Sequence, residues 1–473
     1  MQAFRRSSKS RLLPCRRALL QAMASAAVLL PILSPVTGSS RTSQTTTSRP
    51  NILLIVTDDQ RAAVDTMSAM PKTRALFEHQ GTNYPNFMVA TPLCCPSRSS
   101  IFSGRYAHNT GVLTNTDADD VQAFDQRATI QAYLRAAGYQ TGIAGKFFNT
   151  WPVGQDPPNF DRWAIFGGGY DDPVFNVDGT VSHHSGYSTD VLADLSTNIL
   201  GTFESSDATP WFLYVAPQAP HSPFTPDPKY LHANVPPWSP GPAFSERHIE
   251  DKPPWIRWRT FSLAQARQLR AEQLRTLMSV DDMVETVFDE LDAMDETSDT
   301  LAIFMSDNGY LWGEHRIGGE KRFPYLESVD VPFLMRWPGH VSLGAVDDGL
   351  AANVDVLPTI LDAASVTPTL LHPLDGRSLL QSNLRQTQLL EYWRSSDSPT
   401  VPGWGSLRGA RFQYIEWYDD DGLVTFREYY DLMKDPYELR NLLGDGKPGN
   451  DPNVHRLSLQ LATDRVCVGD ACP

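Results

Sequence analysis

No Asn-x-Ser/Thr sequon occurs anywhere in the 473 residues, cysteine is down to five, and no internal repeat divides the chain. For an exported chain of this size, the missing sequon points towards a bacterial source. The first 50 residues hold eight Lys or Arg and no Asp or Glu, whereas the whole chain has a formal net charge of −15. The remainder therefore stands at −23. Acidity on that scale repels polyanions, which excludes nucleic acid as a partner and weighs against an extended footprint on a heavily sulfated polymer. The one long apolar run, Ala18 to Leu33, is too short for a stable membrane span. What is present is ordinary for a globular protein: 41% hydrophobic and 20% charged residues, enough for one large α/β domain and a smaller one.

The apolar run follows Arg5, Arg6, Lys9, Arg11, Arg16 and Arg17 and ends in small residues near Gly38. Residues 1–38 read as a secretory signal. Arg16-Arg17-Ala18-Leu19-Leu20 also has the look of a twin-arginine motif, so Sec and twin-arginine export both stay open. Cys15 lacks a lipoprotein-type box. Residues 39–50 are Ser/Thr-rich and read as a linker, which makes the expected location secreted or extracytoplasmic. Near the other end, Cys467 and Cys472 suit a small disulfide better than a metal pair, since no His lies close to complete a site.

Two apolar, β-branched runs end in oxygen donors. Asn51–Val56 is followed by Thr57-Asp58-Asp59, and Thr300–Met305 by Ser306-Asp307-Asn308-Gly309. Continuous apolar strands of this kind suit a buried parallel sheet, and open α/β sheets gather ligands at the carboxyl ends of their strands. Each pair alone reads as a solvated turn or helix cap. Together they would bring three carboxylates and an amide to one edge, where a cation must offset their repulsion. Hard oxygen donors suit Ca²⁺ ahead of Mg²⁺.

Between these strands lies Cys94-Cys95-Pro96-Ser97-Arg98, with Gly104 six residues after the arginine. Taken alone it reads as two buried thiols at the start of a helix. If the segment is helical, Arg98 faces back towards residue 94. The run resembles the signature of the type I sulfatases, and the order of Asp-Asp strand, Cys-x-Pro-Ser-Arg and Asp-Asn-Gly is that family's order. The resemblance implies that Cys94, not Cys95, is oxidised to formylglycine by a generating enzyme acting on the unfolded chain. It implies that Asp58, Asp59, Asp307, Asn308 and the modified Cys94 bind the metal, and that the hydrated aldehyde attacks a sulfate monoester. It also places Lys146, in Gly142–Lys146, and Lys321, in Gly319-Glu320-Lys321-Arg322, on the sulfate. His221, in Ala219-Pro220-His221-Ser222-Pro223, falls near the leaving oxygen, and Arg98 completes the cationic cradle that a sulfuryl transfer needs.

Where many sulfatases carry a His two residues after the lysine, Phe148 stands, with Asn149 next. This matches the branch of N-acetylglucosamine-6-sulfatases and extracellular heparan endosulfatases, as do the doubled cysteine and Tyr106-Ala107-His108-Asn109. Asn149 is carried over as a substrate-binding residue. Leu311 replaces the branch's His after Asn-Gly-Tyr, leaving His315 nearby as a second candidate. The basic insertion of the heparan endosulfatases is missing. The resemblance covers about residues 50 to 380 and implies an alkaline-phosphatase-like α/β fold: a large, mainly parallel mixed sheet flanked by helices over 51–375. Short alternating strands from Leu390 onward predict a small antiparallel sheet and a C-terminal helix in 376–473. The Pro/Trp-rich stretch Pro236 to Trp258 is expected to rim the pocket. The expected substrate is a sulfated small molecule or saccharide such as N-acetylglucosamine-6-sulfate. The alternatives are a phosphonate or phosphodiester hydrolase of the same superfamily and an inactive protein that holds sulfated glycans.

Overall fold

The computed structural model describes residues 49–473 except 117, 206, 207, 245, 382–384 and 397. The expected signal and most of the expected linker lie outside the described residues. Ten strands form the main sheet. In chain order they are β1 (Asn51–Thr57), β2 (Thr82–Asn83), β3 (Gln140–Gly145), β4 (Arg162–Gly168) and β5 (Val174–Val177). Then come β6 (Thr180–His183), β7 (Trp211–Ala216), β8 (Thr300–Ser306), β9 (Phe333–Arg336) and β10 (Ala345–Val346). Across the sheet the order is β10-β2-β9-β8-β1-β7-β3-β4-β5-β6. The five central strands, β8 to β4, are mutually parallel; antiparallel pairs follow on both flanks, and β10 pairs in parallel with β2 at one outer edge.

Strand β1 is buried along its whole length because both faces are covered. Successive side chains alternate between faces. Ile52, Leu54 and Val56 pack with Ile101 and Phe102 of α1 (Cys94–Ser103) and Leu357 and Ile360 of a later helix, Val356–Ala363. Leu53 and Ile55 face the other way, onto Leu192 and Ile199 of α2 (Ser188–Glu204) and Leu277, Val284 and Val287 of α3 (Leu263–Ala293). The start of α3 is set by a capping box in which Ser262 and Gln265 satisfy each other's backbone N–H. The mainly parallel sheet between helical layers is the architecture read from the sequence.

The second sheet is antiparallel throughout: β11 (Thr387–Tyr392), β12 (Gly403–Gly409), β13 (Phe412–Tyr418) and β14 (Val424–Asp431). One face, with Trp404, Ile415, Trp417 and Tyr430, packs on Leu93, Phe323 and Tyr325, immediately beneath the segments that build the site. The other carries Leu389, Leu407 and Tyr414 against Leu457 and Leu461 of the C-terminal helix, Val454–Asp464. The described residues from Arg49 to Pro473 form one compact unit. Cys467 and Cys472 are bonded to each other. The stretch Pro236–Trp258 is irregular apart from a single helical turn beginning at Pro254.

The Tyr106–Asn109 motif ties the end of α1 to this C-terminal part. Asn109 donates to Asp375 and to the Cys467 carbonyl, both at 2.8 Å, and the His108 ring stands 2.9 Å from the buried Glu391 carboxylate and 3.0 Å from the Cys467 carbonyl. Burial opposes a charge on His108, but the hydrogen bond and field of Glu391 win and raise its pKa above the ordinary value. A raised folded pKa stabilises fully below the unfolded value, ~6.5, and is lost as pH rises through the folded one. Wild-type Tm should therefore fall relative to that of His108→Gln as pH rises from about 6 to about 9; parallel Tm profiles would refute the link.

Candidate active site

Four neighbouring parallel strands release their chains at one edge of the sheet. Asp307 and Asn308 follow β8, Asp58 and Asp59 follow β1, and Lys146 follows β3. His221 lies in the loop after β7. Ligands gather at this edge in open α/β sheets because every strand there ends in a loop. The turn into Lys146 depends on Gly145, whose φ is +108° and whose missing Cβ would collide with the Ala216 carbonyl. Asp59 adopts φ +71°, a left-handed conformation that Asp tolerates better than most and that recurs at functional sites. Opposite these loops, α1 begins at Cys94, so its N-terminal N–H groups and the positive end of its dipole face the same point.

The side chains then converge on Cys94. Its Sγ lies 3.4 Å from Asp58 Oδ1 and 2.9 Å from Lys321 Nζ. Lys321 also donates to Asp59, and Lys146 donates to Asp58. Arg98, one helical turn after Cys94, is wholly buried. Its Nε donates to Asp307 at 2.8 Å, and one terminal nitrogen donates to the Lys146 carbonyl at 2.7 Å and the Tyr214 hydroxyl at 3.1 Å. The other terminal nitrogen has no hydrogen bond and stands 3.9 Å from Asp58. His221 Nε2 is 3.8 Å from Asp59 Oδ2. Cys94, Asp58 and Arg98 are fully covered, and the site reaches solvent through the side chains of Lys146 and His221, 12% and 27% exposed.

The electrostatics follow from this packing. Burial alone would raise the Asp58 carboxyl, but Lys146, His221, Arg98 and Lys321 surround it and hold it well below the ordinary carboxylate range. Asp307 goes the other way, raised by burial and by the neighbouring Asp58 charge. Burial and Asp58 push the Cys94 thiol up to about 12. The cysteine as encoded is therefore a protonated thiol at neutral pH, not a ready nucleophile.

A cation fits here. One donor atom each from Asp58, Asp59, Cys94 and His221 lies within 4.8 Å of the others, and Asn308 Oδ1 is buried with no hydrogen-bond partner. Asn308 Nδ2 donates to Asp59 at 2.6 Å, which fixes the amide and leaves its unpaired oxygen available as a ligand. Asp307 is engaged by Arg98 and accepts from the Asp59 backbone N–H at 3.3 Å.

The two remaining expected residues sit differently. Asn149 meets the second cysteine: its N–H donates to Cys95 Sγ at 3.2 Å and its Oδ1 lies 3.6 Å from that sulfur. His315 is buried beside Glu246, with Nδ1 2.8 Å from its carboxylate, and packs on the Tyr325 ring. None of its contacts is with the groups around Cys94, and burial next to Lys252 holds the imidazole neutral, down to about 3. Sequence reading missed Tyr214, whereas Tyr170 was read as a residue that packs its loop or stacks on a sugar. Tyr214, on β7, accepts from Arg98, and the Tyr170 hydroxyl donates to the His221 carbonyl at 2.6 Å. For Tyr214 the only available signal was a Tyr inside an apolar strand, where a buried hydroxyl needs a partner.

The sulfatase family profile matches residues 50–366, and one described as N-sulphoglucosamine sulphohydrolase, C-terminal, matches 313–465. The N-acetylglucosamine-6-sulfatase of Homo sapiens is 30% identical over 483 residues, covering 90% of this chain and 86% of that protein. The extracellular sulfatase SULF-1 homolog of Drosophila melanogaster is 34% identical over 367 residues, 74% of this chain. The chain spans only 32% of that longer relative. A solved structure in complex with its substrate D-glucosamine-2-N,6-O-disulfate shares the fold at 24% identity and a TM-score of 0.73, over 88% of this chain and 97% of the other. The chain belongs to the type I, formylglycine-dependent sulfatase family, in the branch of N-acetylglucosamine-6-sulfatases and extracellular sulfatases, and is a sulfate-ester hydrolase.

Proposed function

We propose that this enzyme removes sulfate from a sugar monoester of the N-acetylglucosamine-6-sulfate type outside the cytoplasm. The observation that carries the reading is the convergence of Lys146, Lys321, Arg98 and His221 on a buried Cys94 flanked by carboxylates. Conversion of Cys94 to formylglycine would supply a hydrated aldehyde, one hydroxyl to attack sulfur and a second to let the resulting ester collapse. Because Cys94 is wholly covered in the folded chain, a generating enzyme must reach it before folding. Asp58, Asp59, Asp307, Asn308 and the modified residue would hold a cation, Ca²⁺ in preference to Mg²⁺, since the donors are oxygens on flexible side chains and not a rigid octahedron. When bound, that ion adds positive charge beside the sulfate oxygens.

The chain's own groups divide the remaining work. Lys321 hydrogen-bonds the atom at position 94 and so orients the attacking group. Lys146, at the mouth, is placed to accept the sulfate as it enters, and Arg98 supplies fixed charge from below. His221 Nδ1 lies 2.8 Å from the Ser222 carbonyl, an oxygen that only accepts, so Nδ1 carries a proton and Nε2 faces the site. When Nε2 is protonated it can give that proton to the departing alcohol.

The test is a turnover comparison on N-acetylglucosamine-6-sulfate, an aryl sulfate and an aryl phosphodiester, before and after chelation. Sulfate release from the sugar is expected, with activity lost on chelation and restored by Ca²⁺ better than by Mg²⁺. A strong preference for the phosphodiester would replace this reading with a phosphodiesterase.

A further inference from the structure

We infer that the C-terminal sheet and the turn after it position the Lys321 amine, through four hydrogen bonds made to the five residues following that lysine. The inference rests on the reading of Lys321 as part of the sulfate site. Lys321 lies on no regular element; it follows the short strand Gly318–Glu320 in a loop that runs to Leu326. A lysine is a charge on a flexible four-carbon stem, so its amine is only as well placed as the backbone beneath it. Locally the Lys321 N–H donates to Glu320 and its carbonyl accepts from Ser328, and the residues that follow are gripped by the C-terminal part. Trp404 Nε1 donates to the Arg322 carbonyl at 2.8 Å, and Gln413 Nε2 donates to the Pro324 carbonyl at 2.6 Å. The Tyr325 hydroxyl donates to Glu428 at 3.1 Å, and the Leu326 N–H donates to Glu438 at 3.1 Å.

The gripping residues are themselves fixed. Arg408 donates both to Gln413 Oε1 and to Glu438, and the Trp417 indole N–H donates to Glu428 at 2.6 Å. Trp404, Gln413 and Glu428 are completely buried, so an unmade bond there would leave a desolvated polar group. Buried groups of this kind give a loop one preferred position. Through this grip, residues 82 to 112 positions further along the chain than their partners reach the chemistry at Cys94, where none of their side chains is found. Trp404 and Gln413 are thus positioning residues: the hydrogen bond each donates acts on the reacting centre through the loop that carries Lys321.

The experiment is a double-mutant cycle on the metal-loaded, formylglycine-bearing enzyme with an aryl sulfate. Gln413→Met and Trp404→Phe remove a donor while keeping a side chain of related shape, and each is made in the wild-type and Lys321→Ala backgrounds. In the wild-type background each should lower kcat by about ten- to a hundredfold with KM nearly unchanged, the scale of a catalytic group displaced by roughly 1 Å. In the Lys321→Ala background the same changes should alter turnover by less than about threefold, because the group they position is gone. Equal losses in both backgrounds, or no loss in the wild type, would overturn the inference. If Gln413→Met fails to fold, Trp404→Phe carries the same comparison. Failure of the wild type to release sulfate would instead defeat the proposed function, so the two failures are distinct.

Discussion

A Cys94→Ser variant should fold with the wild-type Tm and lose turnover by at least about four orders of magnitude, the scale on which covalent nucleophiles are missed. The substitution exchanges one small side chain for another at a wholly buried position, so stability is not at stake. Chemistry is. Serine has a single oxygen; it can attack sulfur once, but it has no second hydroxyl from which to expel sulfate. The variant should accordingly accumulate a sulfate ester on the serine introduced at position 94, visible by mass spectrometry after incubation with substrate. The wild type should show position 94 as an aldehyde or its hydrate. Near-normal turnover by the serine variant would refute the two-hydroxyl chemistry. The encoded cysteine is no better than serine, since its thiol stays protonated across the neutral range.

The parts of the site that were legible in the sequence share one property: each sits at a fixed short distance from a periodic element. Asp58 and Asp59 follow an apolar strand directly, as do Asp307 and Asn308, and Arg98 is one helical turn from Cys94. A strand that is apolar on both faces must be central, and a central parallel strand has its ligands at its carboxyl end. Those two steps lead from the sequence alone to the sheet edge where these side chains meet.

Contacts that depend on inter-strand register were not legible. Tyr214 comes beneath Arg98 because β7 pairs with β1 with Leu54 opposite Tyr214, and nothing local in either strand encodes that pairing. His315 is a different case. Its nearness in sequence to Asn308 suggested a donor role, but the short strands Leu311–Trp312 and Gly318–Glu320 turn the chain away, and Glu246 from the irregular insertion takes up its ring. Asn149 is similar, since it latches Cys95 to the loop that carries Lys146. Cys95 thus joins the helix that begins at Cys94 to the loop that carries Lys146, a role no spacing rule would assign to it.

Arg98→Ala should be the most destabilising single change in the site, by about 3–5 kcal/mol, because it breaks a buried ion pair from one side only. Arg98 and Asp307 are both completely covered and 2.8 Å apart, and Asp58 lies 3.9 Å from the guanidinium nitrogen that has no hydrogen bond. Without the arginine, Asp307 keeps only its contact with the Asp59 N–H, and two carboxylates face each other with less positive charge between them. The loss should be read as a lower denaturant midpoint in metal-free protein. Saturating Ca²⁺ should recover part of it, since a cation that binds only the folded state stabilises by mass action. A second change separates the charge from the packing. Arg98→Met combined with Asp307→Asn removes both charges at similar volume and should regain most of the stability, while turnover is abolished because the sulfate has lost its fixed cation and the proposed cation site one of its carboxylates. If the double variant is as unstable as Arg98→Ala, the arginine stabilises by packing and not by pairing. If it retains turnover, Arg98 has no part in holding the ester.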